Sequence, residues 1–421
     1  MASATVSPDQ RREYDVVIVG GGSAGIACAA SLLKRRAGLS VVVIEPSETH
    51  YYQPGWTMVG AGLFTPEATR RPMADVMPNG VTWIQEAAAS FQPEKNSVRL
   101  NDGRTIGYRT LIAAPGLKLD WDVVPGLSET LGRNGVTSNY RHDLASYTHE
   151  LAASLKSGRA LFTQPPMPIK CAGAPQKAMY LSCHRWEQAG RLGAIAVEFH
   201  TAPPVLFGVA HYVPSLMEYI QRYGIDLRLQ SRLVRVDGPS RTAVFEQQDP
   251  DGGTIIVERR FDMLHAVPPQ IAPDFVRNSP LADASGFIAV DPATLRHPDH
   301  ANVFALGDVA ATSNAKTAAA ARKQAPVVAV NAIAALEGKS PQAAYDGYGS
   351  CPLTVERGRI VLAEFGYGGK LLPSFPGWLL EGARPTRRAW LLKTRVLPLV
   401  YWHGMLKGRE WLARPAPAGT A

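Results

Sequence analysis

Short apolar runs alternate along the chain with stretches of helical periodicity, the pattern of a parallel sheet covered by helices. Residues 14–19 (YDVVIV) form the first run, and they lead into Gly20-Gly21-Gly22-Ser23-Ala24-Gly25 and a small-residue helix over 26–34. A second run over 40–44 ends in Glu45, twenty residues after Gly25. A third, 108–116 (YRTLIAAPG), closes into a turn at Gly116, and 302–308 (NVFALGD) is a strand ending in Gly-Asp ahead of an Ala-rich helix start at 316–321. Between them lie runs at 160–163, 194–199 and 226–229, while 241–248 and 254–259 predict a hairpin around Asp251-Gly252-Gly253.

The first run gives the pattern its chemistry. Gly20, Gly22 and Gly25 stand in GxGxxG spacing. They serve a tight turn, a close approach of backbone to pyrophosphate, and close helix–strand packing, with phosphates at the helix N-terminus. Such a motif alone is weak, but an ordinary glycine turn does not explain Glu45, whose carboxylate can accept ribose hydroxyls. The 108–116 segment resembles the YDxLIxATG stretch of two-domain flavin reductases. The late Gly-Asp resembles their second FAD motif, in which Asp308 would bind the ribityl chain. That order of motifs, with Glu rather than Arg at the ribose, favours FAD over NADP.

The expected fold class is α/β: two Rossmann-like (FAD/NAD-linked reductase) domains, the second inserted in the first, plus a C-terminal amphipathic helical membrane-binding arm. The expected boundaries are a disordered N-terminus at 1–13 and a discontinuous FAD-binding domain at 14–120 and 285–345. A second Rossmann-like domain occupies 121–284, and a C-terminal region 346–421. In the inserted domain a nicotinamide cofactor would need its own glycine loop. The equivalent turn, 165–173 (PPMPIKCAG), carries three prolines, which lack the backbone N–H groups a pyrophosphate would need.

Composition narrows the classes. The 421 residues are 46% apolar and 19% charged, an ordered globular chain, and no apolar run approaches the roughly 20 residues of a membrane span. Residues 1–13 lack the apolar core of a secretion signal. The four cysteines, Cys28, Cys171, Cys183 and Cys351, are too few for a disulfide scaffold, and without a CxxC no metal site is expected. Cys28 and Cys183 read as buried packing residues. Cys171 lies near a helix N-terminus with Lys170 and Lys177 close by, and both dipole and cations favour a thiolate. Cys351 precedes Pro352 and is expected on a turn.

The net charge of +8 concentrates in 384–414, where eight basic residues face one acid, Glu410. They are interleaved with Trp, Leu and Val, and Pro398 is expected to break the stretch into two short helices. Basic charge with Trp and Leu on short helices suits an interfacial anchor on anionic lipid. A helix pair docked on the core or in a dimer interface is the rival reading. No nucleic-acid motif accompanies the charge.

The residues resemble the sulfide:quinone oxidoreductases of the two-cysteine, mitochondrial-like type. The resemblance rests on 52–56 (YQPGW), 170–182 (KCAGAPQKAMYLS), 316–320 (KTAAA), 345–353 (YDGYGSCPL), 360–367 (IVLAEFGY) and 399–405 (LVYWHGM). It implies that Cys171 and Cys351 are the redox pair, alternating between a sulfur-bridged form and a persulfide plus thiolate. It implies FAD contacts at Ser23, Ala24, Glu45, Gln53, Ala88, Asp308, Lys316, Thr317, Ala318 and Ala319, beside the loop glycines. Members of the wider family can attach the flavin through a further cysteine before the inserted domain; none lies between Cys28 and Cys171 here, so the resemblance implies a non-covalent FAD. Implied partners are hydrogen sulfide, ubiquinone or another quinone, and a small thiol or sulfite as sulfur acceptor. The implied location is peripheral, on the cytoplasmic face of a bacterial inner membrane or the mitochondrial equivalent. A homo-oligomer is compatible with these readings. Phe365, Tyr367, Tyr401 and Trp402 are candidates for an apolar quinone site. The alternatives are an NADH:quinone reductase, or a sulfur carrier whose FAD is structural.

Overall fold

Parallel pairing is what the first apolar runs produce. In the computed structural model, which describes residues 12–249 and 251–419, Arg12–Val19 pairs in parallel with Val41–Ile44 on one side and Thr105–Ala113 on the other. Val81–Ile84 extends the sheet beyond Val41–Ile44. The last residues of Thr105–Ala113 take Val303–Ala305 as a further parallel neighbour. The late strand therefore returns to the sheet begun by the first, and the domain is discontinuous. Val16–Val19, Val41–Ile44 and Val303–Ala305 are buried on both faces, which is why they read as unbroken apolar runs. The helices Ser23–Arg35 and Ala318–Leu336 cover one face, packing through Ala27, Cys28, Ala325 and Ala329. Small residues let them approach closely, and Cys28 is a fully buried packing residue.

A second, wholly parallel sheet orders Val136–Thr137, Met263–His265, Gly158–Gln164, Ile195–Thr201 and Asp226–Leu229. The Thr242–Gln248 and Thr254–Arg260 hairpin joins Ser231–Asp237 in a separate antiparallel sheet. Cys183 lies in the buried face of the Ala174–Gln188 helix.

Several expectations change. Arg12 and Glu13 belong to the first strand, paired with Ile106 and Gly107; the rest of the lead-in, 1–11, lies outside the described residues. The chain returns to the first domain earlier than 285. Gln270–Ile271 pairs with Lys118–Leu119, and Ala272, Val276 and Leu281 sit in the core behind the first sheet. The 346–421 region is not a separate unit. Its Gly349–Glu356 and Arg359–Phe365 hairpin buries Leu353, Val355 and Val361 in the second domain's core. Tyr401, Trp402, Met405 and Leu406 complete the first domain's core.

Pro398 does not break the tail. Right-handed helix continues through 387–407, with wide π-type turns at Leu392–Val396 and Val400–Gly404 on either side of Leu397–Leu399. These turns accommodate a residue that lacks an N–H and crowds the preceding turn. Cys351 lies inside a strand, opposite Ala363, rather than on a turn. Among the described residues no helix is long and apolar enough to cross a membrane.

Candidate active site

Two strand-to-helix turns and the tail build the site. At the first turn, Gly20 has φ +105° and a Cβ there would stand 2.3 Å from the Ala114 carbonyl oxygen; at Gly25 it would stand 1.9 Å from that of Gly20. Gly22 has open space where a side chain would be, so backbone faces the cleft there. The Gly21 N–H donates to Glu45 Oε2 (2.7 Å) and the Ser47 N–H to Oε1 (2.8 Å). This fixes the carboxylate while each oxygen keeps a lone pair for a ribose hydroxyl. Gly307, ahead of Asp308, packs against Ala24, so the two dinucleotide motifs meet. Thr317 caps the Ala318–Leu336 helix by accepting from the Ala320 N–H, which leaves the N–H groups of Ala318 and Ala319 at an open helix start. Burial raises the carboxyl pKa of Asp308, and the Lys316 and Lys170 ammoniums oppose the rise. These residues fit an elongated dinucleotide carrying a diphosphate and two polyols, as FAD does.

The cysteine loop is tied directly to this cradle. The Cys171 N–H donates to the Lys316 carbonyl (2.8 Å), and Tyr140 Oη donates to the carbonyls of Lys170 and Cys171. Cys171 has φ +51°, in the left-handed region. That kink brings its side chain to the start of the Ala174–Gln188 helix. There the two sulfurs of Cys171 and Cys351 stand 3.7 Å apart, although 180 residues separate them. Both are free thiols. At Gly173 a Cβ would stand 2.5 Å from Cys351 Sγ and 2.4 Å from Leu353 Cδ2, so only glycine admits the second cysteine.

The pair is electrostatically polarised. Cys171 is held well below the usual thiol range, first by its hydrogen bond with Cys351 and then by Lys177, whose Nζ donates to Cys171 Sγ at 3.1 Å. Cys351 is pushed the other way by the same hydrogen bond and by burial. A first proton is therefore lost early and the charge resides on Cys171. Lys170, the other expected cation, turns away: its Nζ donates to Gln53 Oε1 (2.8 Å) and lies over the Trp56 ring.

A third lysine, Lys393, belongs by sequence to the basic stretch at 384–414 expected to face lipid. It is instead 3% exposed and points inward, with Nζ donating to the Pro54 carbonyl at 2.8 Å. Burial and the nearby Lys177 draw its pKa down to about 7, while the two cysteines hold it up. Nothing in its local sequence distinguishes it from Arg387, Arg388 or Arg395. The signal was positional, since Ala389 and Lys393 share one helix face one turn apart and both are buried.

Other expected residues are placed differently. Lys316 Nζ donates to the Ala310 carbonyl and sits over the Phe287 ring. Gly116 (φ +74°) lies just beyond the strand that ends at Ala113, and Ala88 begins an edge strand of the first sheet. The four aromatic candidates are not brought together. Phe365 packs on Phe207 in the second domain, across the hairpin from Gly349. Tyr367 donates to the Pro292 carbonyl. Tyr401 Oη is engaged by Ser23 (2.6 Å) and by His50 Nε2 (2.7 Å), and Trp402 lies beneath Arg71. Burial lowers the His50 pKa to about 4, so a neutral imidazole links Tyr401 to the Gly21 carbonyl. Tyr401 and Trp402 thus brace the dinucleotide loop rather than line an open cavity.

Comparison with known proteins places this geometry in context. The pyridine nucleotide-disulphide oxidoreductase family matches residues 14–159. The mitochondrial sulfide:quinone oxidoreductase of Dictyostelium discoideum is 40% identical over 402 residues, covering 95% of this chain and 87% of that protein. The mitochondrial protein of the same name from Mus musculus is 37% identical, covering 94% and 87%. In fold, the chain is similar to the crystal structure of the sulfide:quinone oxidoreductase from Aquifex aeolicus. The TM-score is 0.78 with 20% identity, over 96% of each chain.

Proposed function

The chain belongs to the sulfide:quinone oxidoreductase family, and on that premise we propose how its own residues divide the work. It is a flavoenzyme that oxidises sulfide and delivers the electrons to quinone. The observation that carries the assignment of residues is the contact of Cys171 and Cys351 beside the dinucleotide motifs, with Lys177 on the Cys171 sulfur.

The oxidised pair is joined through sulfur. Hydrosulfide attacks one sulfur of that bridge, breaking an S–S bond and leaving a persulfide on one cysteine and a thiolate on the other. Cys351, deep in its strand, holds the persulfide. Cys171 receives the negative charge, because Lys177 and Lys393 compensate it there and the helix start favours it. The Gly173 N–H, which hydrogen-bonds Cys351 sulfur, steadies that sulfur when an acceptor nucleophile, such as sulfide, sulfite or a small thiol, removes the outer one. The two reduced sulfurs then close again, releasing two electrons. FAD would be held by the Gly20–Gly25 loop, Glu45, Asp308 and the helix start at Ala318, and would supply the two-electron acceptor between the cysteine pair and quinone. The protein positions these groups and excludes water.

Association with a membrane surface completes the reading, since the oxidant is a lipid-soluble quinone. It is supported by the outward face of the 387–407 helix, where Leu391, Val396 and Leu399 are exposed among Arg387, Arg388, Arg395 and Lys407.

Anaerobic titration of the purified flavoenzyme with sulfide, then with a short-chain quinone, tests the reaction. The flavin should bleach with sulfide and recover with quinone. Cys171→Ser and Cys351→Ser should each abolish turnover while FAD stays bound. Substantial turnover in either variant overturns the paired-cysteine assignment. Rapid bleaching by NADH instead of sulfide would return the chain to the nicotinamide-dependent reductases.

A further inference from the structure

One cavity among the described residues belongs to neither the cysteines nor the dinucleotide loop. It has a volume of about 1100 Å³ and opens between the tail segment around Arg409 and the loop around Leu372, over the helices that carry Lys34 and Lys323. Its walls combine two kinds of surface that seldom occur together.

One is cationic. Lys34, Lys323, Arg409 and Arg414 line the cavity. Arg322 lies behind it in a small adjoining hollow shared with Arg409, and its Nε is buried without a hydrogen-bond partner. None of these five is ion-paired among the described residues. Lys34 donates to the Gly408 carbonyl, Lys323 lies over the Tyr348 ring and Arg409 over Trp411. Two acids, Asp346 and Glu410, share the lining, so its four cations outnumber its carboxylates two to one, and each nearby carboxylate already accepts a hydrogen bond. Glu410 accepts from Arg35 and Ser31, Asp346 from the Tyr348 N–H, and Glu364 from Tyr348 Oη and the Ser374 N–H.

The other surface is apolar and lies at the mouth. Leu371, Trp411 and Leu412 line the cavity and are 41%, 53% and 64% exposed. A solvent-facing Trp beside bare leucines is the signature of a surface that meets lipid.

We propose that this cavity binds a single anionic phospholipid, its phosphate among Lys34, Lys323, Arg409 and Arg414 and its acyl chains over Leu371, Trp411 and Leu412. A soluble phosphate makes no use of the apolar mouth, and a neutral quinone can accept hydrogen bonds through its carbonyls but brings no charge to compensate unpaired cations. The amphiphile uses both. The inference rests on the membrane-associated reading of the tail and adds to it a stoichiometric, headgroup-selective site.

The test uses the full-length flavoenzyme. Calorimetry with dihexanoyl-phosphatidylglycerol, kept below its micelle concentration, should show saturable one-to-one binding, and dihexanoyl-phosphatidylcholine should show none. The double variant Arg409→Gln/Arg414→Gln removes two exposed cations and should weaken binding roughly thirtyfold, at about fivefold per cation. Arg387→Gln/Arg388→Gln removes equal charge from the tail helix and should leave binding of the monomeric lipid unchanged. Bound flavin, followed by absorbance, reports that both variants are folded. Equal losses in the two variants mean diffuse electrostatics and overturn the site. So does full competition by glycerol phosphate, which would make it a phosphate site, or by decylubiquinone, which would make it a quinone site. Vesicle sedimentation separates this failure from that of the underlying reading. Equal binding to phosphatidylcholine vesicles with and without phosphatidylglycerol rejects the lipid site alone, whereas binding to neither rejects membrane association as well.

Discussion

Replacing Lys393 with Met should stabilise the protein and impair its chemistry, and the two effects can be measured separately. The side chain is 3% exposed, and its pKa is drawn from the ordinary 10.5 down to about 7. Above about pH 10.5 folded and unfolded chains are both neutral at this position, and the shift has no effect on stability. As pH falls toward 7, the unfolded chain takes up a proton that the folded one resists. Each unit then removes about 1.4 kcal/mol from folding. Over the difference between 10.5 and about 7 this amounts to roughly 5 kcal/mol, and below pH 7 the penalty stays constant. Methionine has similar length and no charge to bury. It leaves the Pro54 carbonyl without its donor, which returns about 1–3 kcal/mol. The net gain at pH 7 is therefore about 2–4 kcal/mol, diminishing as pH rises toward 10. Thermal unfolding followed by flavin fluorescence at several pH values reads this directly. The chemistry moves the other way, because the Cys171 thiolate loses a compensating cation. The midpoint of its alkylation rate against pH should rise by about one unit, and sulfide turnover at neutral pH should fall roughly tenfold. A variant that melts earlier while its alkylation profile stays in place would refute the reasoning. Lys393 would then be a structural tie to Pro54 and no part of the sulfur electrostatics.

Three further outcomes follow from the same geometry. Gly173→Ala puts a Cβ where Cys351 Sγ and Leu353 now stand. It should lower turnover about a hundredfold by displacing one sulfur while the flavin-to-protein ratio is unchanged. Tyr401→Phe removes the hydroxyl shared by Ser23 and His50. It should weaken FAD retention by about 1 kcal/mol, measured by dialysis against apoprotein reconstitution, with thiol alkylation unaffected. Leu391→Asp together with Leu399→Asp alters only exposed positions of the tail helix. It should abolish vesicle sedimentation while unfolding free energy changes by less than about 1 kcal/mol.

What could be read ahead of the structure was whatever depends on local spacing. The strands at 14–19, 160–163, 194–199 and 226–229 lie where their apolar runs placed them, and the glycine turn meets Glu45 through the Gly21 N–H. What could not be read was which face of an element meets which neighbour. The contact of Cys171 with Cys351 depends on a hairpin crossing from one domain into the core of the other, and no periodicity records that crossing. Lys393 failed for a related reason: on a helix rich in both Lys/Arg and Leu/Trp, composition does not say which stripe faces inward. Pro398 was misjudged because the rule against proline in helices assumes regular α-turns, and here wider turns flank it. Of the aromatic candidates, Tyr401 and Trp402 touch each other, whereas Phe365 packs on Phe207 and Tyr367 is tied to Pro292, which residue type alone does not show.

The 387–407 helix has a consequence for how this protein can be altered and how it can change. A terminal anchor is ordinarily a module: it can be cut away, exchanged between relatives or replaced by a tag, and the catalytic body goes on working. Here the stripe opposite Leu391 and Leu399 carries Lys393 into the sulfur site, and Tyr401, Trp402 and Met405 into the flavin domain. Deleting the helix to detach the protein from a membrane would unpack the core and strip the thiolate of a counter-charge in the same step. Loss of activity in such a truncation says nothing about lipid. The outward stripe is exposed and free of such packing, while the inward one is constrained by chemistry. Sequence variation along this helix should accordingly fall into two interleaved registers that evolve at different rates.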